Sequence, residues 1–166
     1  MLLICTASSG HNLTLARRLA EIADDMGIPT QLVDLTQAEL PLYTPAREEV
    51  GRPPSLDRLE SAFSSANGMV IVAPEYNGSI PPTLTNAIAW LSTQTDDFRS
   101  LFTLKPTAIA THSGGGGQKV LVAMRLQLSH LGATVLGREL LTNGKKPLNE
   151  ASARAVLQQL AALMQT

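Results

Sequence analysis

Residues 69–73 read Met-Val-Ile-Val-Ala, residues 74–82 PEYNGSIPP and residues 83–92 TLTNAIAWLS. The first five are apolar throughout and β-branched at the centre, as expected of a strand covered on both faces. Pro74 removes a backbone donor and stiffens the chain as it leaves that strand, and Asn77-Gly78 supports a sharp bend. Pro81 and Pro82 can open a helix without losing an intrahelical bond, and Leu84, Ile88 and Leu91 continue at helical spacing over 82–92. A buried strand, a rigid polar turn and a helix therefore follow in immediate succession.

The same unit recurs on both sides. Met1 to Thr6 is a short apolar run that ends in TASSGHN, which predicts a buried strand and a turn. Leu15, Leu19, Ile22 and Met26 then give one apolar helical face over about 12–26. Gly27 is placed to close that helix in the left-handed conformation, and Pro29 prevents its continuation. Residues 30–33 read as a second strand, 55–66 as a helix, 106–111 as a fourth strand and 133–136 as a fifth. The helix after strand four carries Leu121, Met124, Leu128 and Leu131, and a last one over about 150–164 carries Val156, Leu160 and Leu163. Between 39 and 54 five prolines and glycines interrupt every periodicity, so that stretch reads as a surface or site loop. Five apolar strands alternating with helices predict an α/β fold, a doubly wound parallel sheet with helices on both faces, rather than an eight-unit barrel. No repeat or composition break divides the chain, so residues 1–166 are expected to form a single domain.

Hydrophobic residues make up 44% of the chain and charged ones 16%, which excludes a disordered chain. Thirteen Lys and Arg against fourteen Asp and Glu leave a formal net charge of −1 with no basic block, so nucleic acid is not an expected partner. The apolar run at the amino end is too short to span a bilayer and lacks a basic leader, so the expectation is a cytoplasmic protein with no membrane partner. The single cysteine, Cys5, lies inside that run and is expected to be a buried, inert thiol.

In such a sheet the strand-to-helix turns share the carboxyl edge, where ligands bind near the reversal of strand order. Three of those turns are unusual. The first, TASSGHNLT at 6–14, offers hydroxyls, an amide and an imidazole before a helix start, a setting that suits a phosphate. It equally fits a simple N-cap by Ser9 or Asn12. It matches neither the Walker sequence nor the G-x-G-x-x-G fingerprint, so nucleoside triphosphate hydrolysis has no support. The third turn, THSGGGGQ at 111–118, has four glycines whose amides can approach a flat polar ligand closely. His112 beside them is read either as catalytic or, more simply, as a hydrogen-bonded structural histidine. The second is the opening stretch, with Glu75 and Tyr76 as polar rim residues.

On these residues the chain resembles the NAD(P)H-dependent FMN reductase family, flavodoxin-like flavoproteins that include FMN, quinone, azo-dye and chromate reductases. The resemblance is carried by APEYNGSIPPTLTNAIAWLS at 73–92, by LPLYTP at 40–45, by HSGGGGQ at 112–118 and by MRLQLSHLGATVL at 124–136, and it extends over essentially the whole chain. It implies a five-stranded sheet in the order 2-1-3-4-5 and FMN as cofactor, with NADPH or NADH as co-substrate. By similarity Ser9, His11, Asn12 and Thr14 would hold the 5′-phosphate. Pro74, Glu75, Tyr76, Asn77 and Gly78 would contact the ribityl chain and ring, and Ser113, Gly114, Gly115 and Gly116 would border the pyrimidine side. No catalytic side chain and no metal are implied. Hydride would pass from nicotinamide to flavin and on to a small acceptor: a quinone, free flavin, azo compound or metal oxyanion. A flavodoxin-type electron carrier and a redox-inactive regulatory subunit are the alternatives. Family members commonly assemble as homodimers or homotetramers, and the helix over 82–92 with Trp90 is the expected contact surface.

The chain departs from the family pattern in its first loop. That loop usually reads Gly-Ser-x-Arg-x-x-Ser, whereas Ser8-Ser9-Gly10-His11-Asn12-Leu13-Thr14 puts His11 at the arginine place. A neutral imidazole is a poorer phosphate partner than a guanidinium, which implies weaker or pH-dependent FMN binding. Thr85 and Ala89 stand where lysine and aspartate are common.

Overall fold

The computed structural model describes residues 1–93 and 97–165. In chain order the elements are β1 (Leu2–Thr6), α1 (His11–Asp25), β2 (Thr30–Asp34), α2 (Pro45–Glu49), α3 (Leu56–Ser65), β3 (Gly68–Val72), α4 (Pro82–Leu91), β4 (Pro106–His112), α5 (Gln118–His130), β5 (Thr134–Val135), β6 (Leu140–Thr142) and α6 (Glu150–Leu163). All strand pairs are parallel and the order is β2-β1-β3-β4-β5, as the resemblance implies.

The two-residue period of each strand sorts its side chains onto two cores. Leu2, Ile4, Val70, Val72, Ala108 and Ala110 meet the apolar faces of α1 and α6. Leu3, Cys5, Met69, Ile71 and Ile109 meet α3, α4 and α5 on the other side. Both faces being covered is why the central strands are unbroken apolar runs rather than alternating ones. Cys5 is fully buried, and burial, with a smaller contribution from Asp34, pushes its thiol far above the ordinary value.

Gly27 closes α1 as its sequence position requires. Its φ is 71°, and the Ile28 and Gly27 N–H groups donate to the carbonyls of Ala23 and Asp24, the paired bonds of a Schellman end. Gly132, φ 94°, ends α5 in the same way, with Ala133 donating to Leu128 and Gly132 to Ser129.

Two regions differ from the sequence reading. The stretch 39–54 is not structureless. It contains α2, started by Pro45 and capped by Thr44, whose hydroxyl accepts from the Arg47 N–H at 3.0 Å. Five helical residues are too few to show a period. The segment before α2 is tied to α4: Trp90 Nε1 donates to the Pro41 carbonyl at 2.7 Å, and the Asn86 carboxamide donates to Pro41 and accepts from the Tyr43 N–H. Trp90 is buried edge-on against the Tyr43 ring, at 5.4 Å and 83°, so it packs within its own chain instead of on a contact surface.

The fifth strand is also not the continuous 133–136 run. It is split, β5 pairing with the start of β4 and β6 with its end, while residues 136–139 bulge between them. Arg125 of α5 serves the carbonyls freed by the bulge, donating to Leu136 at 2.8 Å and pairing with the Glu139 carboxylate at 3.2 Å. Among the described residues no helix is long and apolar enough to cross a membrane.

Candidate cofactor site

Strand order reverses between β1 and β3, so their exit loops part at the carboxyl edge, and the loop after β4 lies alongside. All thirteen residues expected at a site lie in these three loops or in the first turn of α1.

In the first loop the residue at the cap position just before α1 is Gly10, with φ 72° and ψ −132°, a conformation that favours glycine. No side chain caps the helix and no acid sits in its first turn. The opening N–H groups of a four-turn helix are therefore left for an outside acceptor, where the helix dipole favours an anion. This corrects the simpler expectation of an N-cap by Ser9 or Asn12. Ser9 and His11 are exposed, Thr14 is exposed with its hydroxyl donating to the Gly10 carbonyl, and Asn12 is buried. The Asn12 carboxamide crosses to the end of β4, donating to the His112 carbonyl at 2.9 Å and accepting from the His112 N–H at 2.8 Å.

In the second loop Tyr76 and Ser79 exchange backbone bonds at 3.1 and 3.0 Å around Asn77 (φ 51°) and Gly78 (φ 74°). Two central residues with positive φ make a type I′ turn, the conformation that Asn-Gly favours. The turn projects Tyr76 and Asn77 into solvent, while Pro74 is buried at its base. Glu75 faces the other way from an open rim position: its carboxylate accepts from the Lys119 N–H, in the first turn of α5, at 3.2 Å. A carboxylate there complements the helix dipole.

The third loop is stitched to the second through buried Ser113, whose Oγ accepts from the Glu75 N–H at 2.9 Å and lies 2.9 Å from the Thr111 hydroxyl. Its glycines divide into two kinds. Gly117 has φ 73°, and a Cβ there would lie 3.0 Å from Thr111 Cγ2, so the chain itself requires it. At Gly114, Gly115 and Gly116 φ is not positive, and a Cβ would meet nothing within 4 Å. Neither backbone conformation nor the protein's own packing calls for glycine at those three positions. They leave clear space in front of exposed backbone.

Between the first and third loops two imidazoles stack, His11 on His112, with ring centroids 4.6 Å apart and planes at 27°. The Thr142 hydroxyl donates to the Thr111 carbonyl, so its contact with His112 Nδ1, at 3.0 Å, assigns the ring proton to Nδ1. Burial, and then the neighbouring His11, hold the His112 pKa below the ordinary value. His112 is thus the hydrogen-bonded structural histidine of the two readings. The sequence reading missed Thr111 and Thr142 as the supports beneath the site. Thr142 sits on β6, and its role depends on a pairing that no local pattern announces.

The free helix start, the clear glycine loop and the rigid hairpin lie at one edge of the sheet and suit a flat ligand with an anionic tail; the described residues thus fit FMN. A family model described as NADPH-dependent FMN reductase matches residues 1–146. A quinone reductase from Escherichia coli K12 is 38% identical over 104 residues, 61% of this chain and 54% of that protein. An NADPH azoreductase from Bacillus sp. is 29% identical over 116 residues, 69% of this chain and 61% of that one. The chain's matches thus span little more than half the length of these relatives. The flavoenzyme NAD(P)H:acceptor oxidoreductase FerB of Paracoccus denitrificans superposes with a TM-score of 0.74 at 20% identity, over 99% of this chain and 94% of its own, and so shares the fold. With the family model covering most of its length, this chain belongs to the NADPH-dependent FMN reductase family.

Proposed function

We propose that the protein is an FMN-dependent oxidoreductase that uses NADPH or NADH to reduce a small acceptor, with a quinone or an azo compound as the leading classes. The observation that carries this reading is the trio Gly114, Gly115 and Gly116, glycines the chain does not need for itself, opposite an uncapped helix start. The names of the quinone reductase and azoreductase relatives support the acceptor classes. When bound, FMN supplies the redox chemistry by taking a hydride from the nicotinamide and passing two electrons to the acceptor.

The residues hold and orient. The opening amides of α1, with Ser9, His11 and Thr14, receive the phosphate, and the buried Asn12 carboxamide holds that loop to β4. The Asn77-Gly78 turn presents Asn77 and Tyr76 beside the ring, and Ser113 fixes the turn to the glycine loop. Glu75 acts indirectly, by seating α5. No side chain is needed as a general acid or base for hydride transfer, so none is assigned as catalytic. We further propose a cytoplasmic homodimer or homotetramer built as a single-domain unit, which sedimentation velocity tests.

The deciding experiment loads the protein with FMN and mixes it anaerobically with NADPH or NADH while the oxidised-flavin absorbance is followed. Rapid bleaching is expected. Flavin that binds but stays oxidised would assign the protein to single-electron carriers, and no retained flavin would overturn both redox readings.

A further inference from the structure

The stacked pair at the start of α1 has the properties of a proton-linked phosphate site. His11 is the first helical residue, exposed beside opening amides that no side chain caps. Its stacking partner His112 is fixed in position by three bonds, from its Nδ1 to Thr142 and from its backbone N–H and carbonyl to Asn12. A positive charge is disfavoured at the positive end of a helix dipole that holds no anion. A phosphate dianion at the same amides reverses that balance.

The other charged groups around the pair do not substitute for the anion. On α1, Arg18 lines the same cavity of about 230 Å³ as both histidines, but its guanidinium is held by Glu21 and by Glu150 of α6. The turn after β6 carries Lys145 and Lys146, and the turn after β3 carries Glu75, which is engaged with α5. No carboxylate among the described residues is ion-paired with either imidazole.

We propose that binding of a phosphate monoester at the start of α1 takes up a proton on His11, with neutral, Thr142-locked His112 as the ring on which the imidazolium rests. The inference rests on the FMN reading and adds what takes the place of a permanent cation there. It makes cofactor retention a function of pH: the protonated clasp holds the phosphate near and below neutrality and releases it as pH rises.

The test is calorimetric titration of the FMN-free protein with FMN, and separately with riboflavin, at pH 7.5 in two buffers of different ionisation enthalpy. A phosphate monoester is already mostly dianionic at that pH, its second pKa being about 6, so any proton taken up belongs to the protein. The expected result is uptake of roughly half a proton or more with FMN and none with riboflavin, and FMN affinity about tenfold weaker at pH 9 than at pH 7. His11→Gln should abolish both the uptake and the pH dependence, and His11→Arg should abolish both while restoring tight binding. FMN binding with no proton uptake and the same affinity at both pH values would overturn the linkage and leave the FMN reading intact. Uptake that persists in His11→Gln would overturn the assignment to His11. Failure of both flavins to bind at any pH would overturn the FMN reading and the linkage with it.

Discussion

Replacing Asn12 by alanine removes one carboxamide and two bonds, to the N–H and the carbonyl of His112, at 2.8 and 2.9 Å. Each such bond contributes about 1 kcal/mol net, but a buried backbone group left without a partner costs about 1–3 kcal/mol. Asn12 is buried and its two bonds to His112 are part-buried, so water does not replace the lost partner freely. Alanine returns about 0.5 kcal/mol through its better helix propensity. The expected loss is therefore about 2–3 kcal/mol, a substantial part of the roughly 5–15 kcal/mol by which a domain is stable. Urea unfolding of the FMN-free protein, followed by circular dichroism, measures it directly. The corresponding fall in Tm is roughly 4–12 °C for a chain of this size. Ser9→Ala, at an exposed neighbour, is the control and should stay within about 0.5 kcal/mol. If Asn12→Ala also stayed within that range, the cross-link from α1 to β4 would carry no energy, and the assignment of Asn12 as the tie between the first and third loops would fail.

Gly115→Ala should leave the unliganded protein as stable as before, or more stable by about 0.4–1 kcal/mol through the unfolded chain, while FMN affinity measured by flavin fluorescence quenching falls at least tenfold; unchanged affinity would show that the space belongs to no ligand. Trp90→Phe keeps the ring against Tyr43 but removes one of the two donors to the Pro41 carbonyl, Asn86 remaining, and is expected to cost about 0.5–1.5 kcal/mol and to speed amide exchange across 40–50; unaltered exchange there would dissociate that segment from α4. The lowered His112 pKa means that the unfolded chain binds the proton more readily, so stability is present above the ordinary value of 6.5 and declines as pH falls through it. Thermal melts from pH 7.5 to 5 should show that decline in the wild type and a shallower one in His112→Gln; equal slopes would contradict it.

What the sequence disclosed follows from where the forces are local. Strands β1, β3 and β4 are covered on both faces and therefore carry their burial as an unbroken apolar run, and the close of α1 is written in Gly27. The Asn77-Gly78 turn needs only two residues of positive φ. The site was legible as three loops because a parallel sheet brings its turns to one edge. The links between those loops were not, since Asn12 to His112 and Glu75 to Ser113 span 100 and 38 residues. Asn12 and Glu75 read as ligands because polar residues at a loop suggest contact with something outside; the Asn12 carboxamide is also bonded to the backbone at the end of β4, and the Glu75 carboxylate to the first turn of α5. The second half of the fifth strand escaped notice because Gly137, Arg138 and Glu139 look like the end of a strand, and only Arg125, far behind on α5, shows that they interrupt one.

That interruption also shapes how the molecule meets others of its kind. An uncovered outer strand is a template on which another chain can add its own backbone, and long flat outer strands are where sheets begin to aggregate. Here the last strand offers two residues, a charged bulge and three more, and Arg125 has already taken two of the bulge's carbonyls. No incoming strand finds a run long enough to register against. The ladder at this margin is thereby interrupted by a break in its own hydrogen bonding.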